Sequence, residues 1–411
     1  MLFRSDVDET VHVYAPAGPD LDEYLRKIDG YNARAQAPTH WRVQAHTGAD
    51  FLERFLAERS GDMVVLAGNN RRKTEYIAQA VGARMHTLAD KPMAIDDAGF
   101  ETLVRAFNVA RESEVLLYDI MTERHEITTL LQREFSTIAP LFGGLLRGSA
   151  EHPAVTKESV HYFSKLVSGV PLKRPPWYFD TTQQGEGLVD ITTHLVDLVQ
   201  WECFPGEVLD YRIDVQIASA RHWPTELTPE QFAHVTHLDA YPAYLRKDVQ
   251  ADGKLHTYAN GEINYTLKGV HAKVSVLWDF EAPAGGGDTH YSVMRGTRAN
   301  LVIRQGAAEA YQPVLTIEPV VEGDDAAFVR VLEQSLPRVQ EKYPGVDVKR
   351  NGGGWEVTVP APYHVGHEAH FGQVTEKFLR YVANGALPAW EVPNMLAKYY
   401  TTTRALAIAR S

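Results

Sequence analysis

Between residues 11 and 120, short β-branched runs alternate with stretches whose apolar residues recur at helical spacing. VHVYA (11–15) precedes Leu21, Tyr24, Leu25 and Ile28, an i, i+3, i+4, i+7 stripe. WRVQA (41–45) precedes FLERFLAE, where Phe51, Leu52, Phe55 and Leu56 share a face. MVVLA (63–67) is almost wholly apolar, as in a strand covered on both sides, and leads to a helix with Tyr76, Ile77, Ala80 and Val81 on one side. HTLA (86–89) runs into Asp90-Lys91-Pro92, after which Asp96 caps a helix carrying Phe100, Leu103, Val104 and Phe107. VLLYDI (115–120) closes the series. Strands alternating with helices predict right-handed βαβ crossovers and a doubly wound, Rossmann-like parallel sheet over residues 1–122.

After residue 122 the texture changes. EITTLLQREFSTI reads as a helix and is followed by a loop-rich region with Pro153, Pro171, Pro175 and Pro176. From 255 to 305, alternating runs punctuated at Asn260-Gly261 and Gly285-Gly286-Gly287 predict an antiparallel sheet, extended by VLTIEPVV and GWEVTVP. EAHFGQVTEKFLRYVANG and the segment after Pro393 return to helix. Residues 123–411 are therefore an α+β domain with a large, mostly antiparallel open sheet.

Composition narrows the partners. Of 411 residues, 44% are hydrophobic and 23% charged, a soluble globular balance. Acidic residues outnumber basic ones 53 to 41, for a net charge of −12, which argues against nucleic acid. No apolar stretch approaches the ~18–20 residues that cross a bilayer. MLFRSDVDET lacks a signal-peptide core, and the single Cys203 can form no internal disulfide, so a cytoplasmic setting is expected.

The candidate chemistry lies in three strings. If residues 189–202 form a helix, Asp190, His194, Asp197 and Trp201 fall within about 60° of one another. A carboxylate one turn from an imidazole can raise its basicity for general base work, although a solvated helix face shows the same stripe. Asp90-Lys91-Pro92 ends a parallel strand, where ligands bind in open α/β sheets, or it is an ordinary strand-to-helix turn. Gly68-Asn69-Asn70 opens a helix, so its N–H groups can face a cofactor or its asparagines can cap the helix. His364, His367 and His370, like His234 and His237, are spaced by three, but no third ligand stands out and no metal site is expected.

Together these strings resemble the glucose–fructose oxidoreductase / inositol dehydrogenase / rhizopine catabolism (Gfo/Idh/MocA) family. Asp90-Lys91-Pro92 is similar to its Glu-Lys-Pro motif, and Asp190-x-x-x-His194-x-x-Asp197 after a glycine turn is similar to its catalytic helix. Trp177 to Asp180 and the closing LPAWEVPNMLAKYYTTTRALAIARS fit the same order. The resemblance implies NAD or NADP as cofactor, hydride transfer at a sugar or cyclitol carbon, and a homo-oligomer formed through the C-terminal sheet. By position it implies that His194 is the acid/base, Asp190 its partner, and Lys91 the group positioning substrate and nicotinamide. It places Gly68, Asn69, Asn70, Asp90 and Lys91 at the cofactor, and Lys91, Tyr178, Asp180 and His194 at the substrate.

The chain departs from that family at its start. No G-x-G-x-x-G follows a first strand, VHVYA reads as the second strand, and Tyr14-Ala15-Pro16 supplies no acid for a ribose. The expectation is a truncated or mis-started chain that binds NAD(P) weakly, or a cofactor held unusually or not at all. Three functions follow: an NAD(P)-dependent sugar or cyclitol oxidoreductase, a redox-assisted glycoside-cleaving enzyme, and a non-catalytic binding or assembly relative.

Overall fold

The computed structural model describes residues 7–167, 169–320 and 325–411. Its first part is α/β. Thr10–Ala15 and Arg42–Thr47 form a parallel pair, and Met63–Leu66, His86–Asp90 and Leu117–Ile120 form a separate three-stranded parallel sheet. Helices Pro19–Ala33, Phe51–Glu58, Lys73–Gly82 and Asp97–Glu112 make the crossovers. Asp96 caps the last of these by accepting from the Gly99 N–H at 2.7 Å, as its sequence pattern predicts. Among the described residues no strand joins the two sheets. Met63–Leu66 therefore pairs only with His86–Asp90, and Val65 is 52% exposed, so this strand is not covered on both sides as its apolar run suggests.

Ile77, Leu88, Phe100 and Leu103 fill the core beside the three-stranded sheet together with Phe378, Met395 and Tyr399. The last three come from helices His367–Asn384 and Glu391–Ala409, so the chain returns to its first part at its end.

The second part is built on a nine-stranded sheet. From edge to edge it runs Asp347–Asn351, Gly354–Thr358, Val314–Pro319, Ala299–Gln305, Thr289–Arg295, Val155–Ser164, Val270–Glu281, Leu255–Leu267 and Val215–Leu227. Every pairing is antiparallel except Val155–Ser164 with Val270–Glu281. Helices Ile127–Ser136, Thr192–Cys203 and Glu391–Ala409 contribute Leu131, Val196, Ala397 and Leu406 to the core against it. Strand neighbours elsewhere are linked by ion pairs such as Arg221–Glu262 at 3.1 Å and Lys273–Glu158 at 3.0 Å.

Three strands of the nine-stranded sheet escape the sequence pattern. Val155–Ser164 carries a fully buried Lys157, neutralised by Glu202 at 2.8 Å, which breaks its apolar alternation. Val215–Leu227 and Asp347–Asn351 are edge strands with polar faces. Asn260-Gly261 lies inside one long strand, just after a bulge at Tyr258-Ala259, and is not a turn. The Asn260 side chain accepts from the Trp278 N–H at 2.6 Å and donates to the Trp223 carbonyl at 3.1 Å, replacing ladder bonds that the bulge removes. The turn falls instead at Lys268-Gly269, both with positive φ. Of VLTIEPVV, Val314–Pro319 is the strand, while Val321 lies outside the described residues, as do the first six residues of MLFRSDVDET. No helix among the described residues is long and apolar enough to cross a membrane.

Candidate active site

Lys91 extends from the C-terminal end of strand His86–Asp90. Its ammonium donates to Asp190 Oδ1 at 2.6 Å, joining the parallel sheet to the second part of the chain. Gln184 Nε2 holds the other oxygen of Asp190 at 2.9 Å. Asp190 is buried, so this pairing compensates a carboxylate that water cannot reach.

The glycine turn before it has a steric cause. A Cβ on Gly187 would stand 1.9 Å from the Ala259 carbonyl oxygen, and the Gly187 N–H donates to the Tyr258 carbonyl at 3.0 Å. Between the glycines, buried Glu186 binds His222 Nδ1 at 2.5 Å and Arg410 at 2.7 Å. The turn is thereby fixed to the sheet and to the end of the chain.

The helix starts at Thr192, not at 189, so Asp190 sits in the turn instead of one helical turn from His194. Asp190 is accordingly held by Lys91 and Gln184 and not by His194. Nearly every residue from Thr192 to Glu202 is buried, which excludes a solvated face. Asp197 leaves the site altogether. Arg124 grips it at 2.6 Å through two nitrogens and Lys398 at 2.8 Å, and these cations outweigh burial and hold its carboxyl far below the usual range. Trp201 lies under the Arg133 guanidinium.

His194 Nδ1 is buried without a hydrogen-bond partner. Burial, then the Lys91 charge, pushes its imidazole well below the usual histidine value, against the opposing pull of Asp197. The ring is neutral at physiological pH.

Gly68, at the end of Met63–Leu66, has φ +91° and open space where a side chain would stand. Asn69 and Asn70 turn away from a simple capping role toward the second part. Asn69 Nδ2 donates to Gln183 Oε1 at 2.7 Å, the Asn70 N–H to the Gln183 carbonyl at 2.9 Å, and Asn70 Nδ2 to the Gln184 carbonyl at 2.7 Å. Tyr178 lies beneath the Arg174 guanidinium and lines a shallow cleft with Gln184, Asp190, Phe163 and Trp278. Asp180 faces inward. It caps Thr181–Gln184, binds Gln183 Nε2 at 2.9 Å and Lys247 at 3.2 Å, and against the cost of burial these partners hold it ionised.

Sequence reasoning missed Lys73, Gln183 and Gln184. Lys73 is buried and donates to Asn70 Oδ1 at 2.5 Å and to the Asp90 carbonyl at 2.9 Å, tying the Gly68–Asn70 loop to the strand end that presents Lys91. Burial lowers its pKa to about 8. Its signal was a lone lysine in register with Ile77 and Ala80 on an apolar helix face. Among the described residues no cluster of three metal ligands occurs; His367 lies exposed 3.8 Å from Glu123, while His370 is buried.

The geometry fits a dinucleotide at its nicotinamide end: an open glycine turn, a cation and a neutral imidazole gather at the C-terminal ends of parallel strands. Fold and site together define an oxidoreductase scaffold. The family described as "Putative oxidoreductase C terminal domain" matches residues 131–410. The chain belongs to the Gfo/Idh/MocA-type oxidoreductases.

Among solved structures, one described as a "putative oxidoreductase" from Parabacteroides merdae ATCC 43184 is 55% identical, with a TM-score of 0.96 over 98% of this chain and 92% of that one. Levoglucosan dehydrogenase, with 13% identity and TM-score 0.61 over 98% and 87% of the two chains, shares the fold. So does the WlbA dehydrogenase from Bordetella pertussis, with 14% identity and TM-score 0.52 over 98% and 87%. No curated protein matches the chain.

Proposed function

We propose that this oxidoreductase transfers hydride between NAD or NADP and a hydroxyl or keto carbon of a sugar or cyclitol. The observation that carries the reading is the Lys91–Asp190 bridge beside an unpartnered His194 at the C-terminal ends of the parallel strands. Solved relatives of the fold include levoglucosan dehydrogenase in complexes with NADH and levoglucosan, and the WlbA dehydrogenase with NADH and UDP-GlcNAcA.

In this reading Gly68, Asn69, Asn70 and Asp90 would border the nicotinamide end of a bound dinucleotide, which would supply the hydride acceptor or donor. Lys91 orients the substrate hydroxyl and stabilises negative charge on its oxygen. His194, neutral at physiological pH, takes the hydroxyl proton on its imidazole or returns it in the reverse direction. Asp190 holds Lys91 in place, and Tyr178 borders the substrate cleft. Asp180 supports the loop it caps. The test is a panel of sugars and cyclitols offered with NAD and with NADP, read by nicotinamide absorbance. Reduction with at least one of them is expected; no reduction across the panel by protein that binds the cofactor contradicts the reading.

A further inference from the structure

Segment Trp177–Asp190 is anchored at both ends on the nine-stranded sheet. Just before it, Arg174 donates to the Phe163 and Tyr162 carbonyls at 2.9 and 2.8 Å, and near its end Gly187 donates to the Tyr258 carbonyl at 3.0 Å. Between these anchors it crosses to the α/β part and meets the segments that follow three of its parallel strands. Beyond Thr10–Ala15, Asp20 Oδ2 accepts from Trp177 Nε1 at 2.7 Å. Beyond Met63–Leu66, Asn69 and Asn70 bind Gln183 and Gln184. Beyond His86–Asp90, Lys91 binds Asp190.

The C-terminal edge of a parallel sheet is where a dinucleotide lies. A segment stitched along that edge covers it, and the ties at Asp20 and Asn69 are partly or wholly solvent-exposed side-chain bonds that can open without disturbing either core. We infer that Trp177–Asp190 is a strap closing the dinucleotide cleft, and that its opening governs the exchange of NAD(P). The inference rests on the nicotinamide reading above.

The test is the release rate of NADH and NADPH from the 411-residue chain, measured by displacement in stopped flow. Asp20→Ala with Gln183→Ala removes two ties and is expected to speed release about 10-fold. Trp177→Phe removes the indole N–H while keeping an aromatic ring, and is expected to speed release severalfold; it guards against misfolding of the double variant. Equal release rates in the wild-type chain and all variants overturn the strap while leaving the nicotinamide reading intact. Failure of the wild-type chain to bind either dinucleotide overturns both.

Discussion

The Lys91 ammonium and the Asp190 carboxylate meet at 2.6 Å across the seam between the parallel strands and the large sheet. Each neutralises the other's burial, so neither can be removed without leaving an uncompensated charge. Lys91→Ala is expected to lower kcat/KM by about 10²-fold or more, because it removes both the cation and the constraint on Asp190. Steady-state kinetics with the best substrate of the panel checks this; a loss below a few fold would detach Lys91 from the chemistry.

Lys73 gives a stability signature with a defined sign. Its pKa is lowered from 10.5 to about 8 by burial. Below that value the side chain is charged in both states and folding carries the full cost of burying it. Between the two values the unfolded chain holds a proton that the folded chain has lost, so stability rises with pH. Relative to Lys73→Met, the wild type is expected to gain up to about 3 kcal/mol as pH rises from about 8 to 10.5. Urea unfolding of both proteins across that range measures the difference.

Arg124, Asp197, Glu391 and Lys398 form a buried charge network linking the end of the parallel strands, the Thr192–Cys203 helix and the last helix. Removing Arg124 leaves Asp197 with Lys398 alone and Glu391 with Lys377 alone, so the interior carries charge that is no longer fully compensated. Arg124→Met is expected to destabilise the fold by about 3–5 kcal/mol, read as a large drop in Tm. An unchanged Tm would show that the network is dispensable.

The parallel strands and their crossover helices were legible because each run obeys one period: FLERFLAE and Asp97–Glu112 form the helices that their stripes indicate. Lys91, Asp190 and His194 were legible as candidates for chemistry, and the structure joins Lys91 to Asp190, which lines the cleft with Tyr178. What escaped was whatever depends on distant partners. The buried state of Asp197 is set by Arg124 and Lys398, 73 and 201 residues away in sequence. Lys157 hides a strand because its neutralising Glu202 lies in a different element. Gln183 and Gln184 look like loop residues until Asn69, Asn70 and Asp190 are seen beside them.

The most direct test of the account is the turnover and binding of His194→Ala measured side by side with the wild type. Burial and the Lys91 charge keep this imidazole neutral well below the usual histidine range, so activity in the wild type should fall only as pH drops through that depressed value. The account predicts that His194→Ala loses about 10²–10⁴-fold in kcat, loses the acid limb of the pH profile, and still binds NAD or NADP as the wild type does. Undiminished turnover in His194→Ala, with its pH profile unchanged, would contradict it.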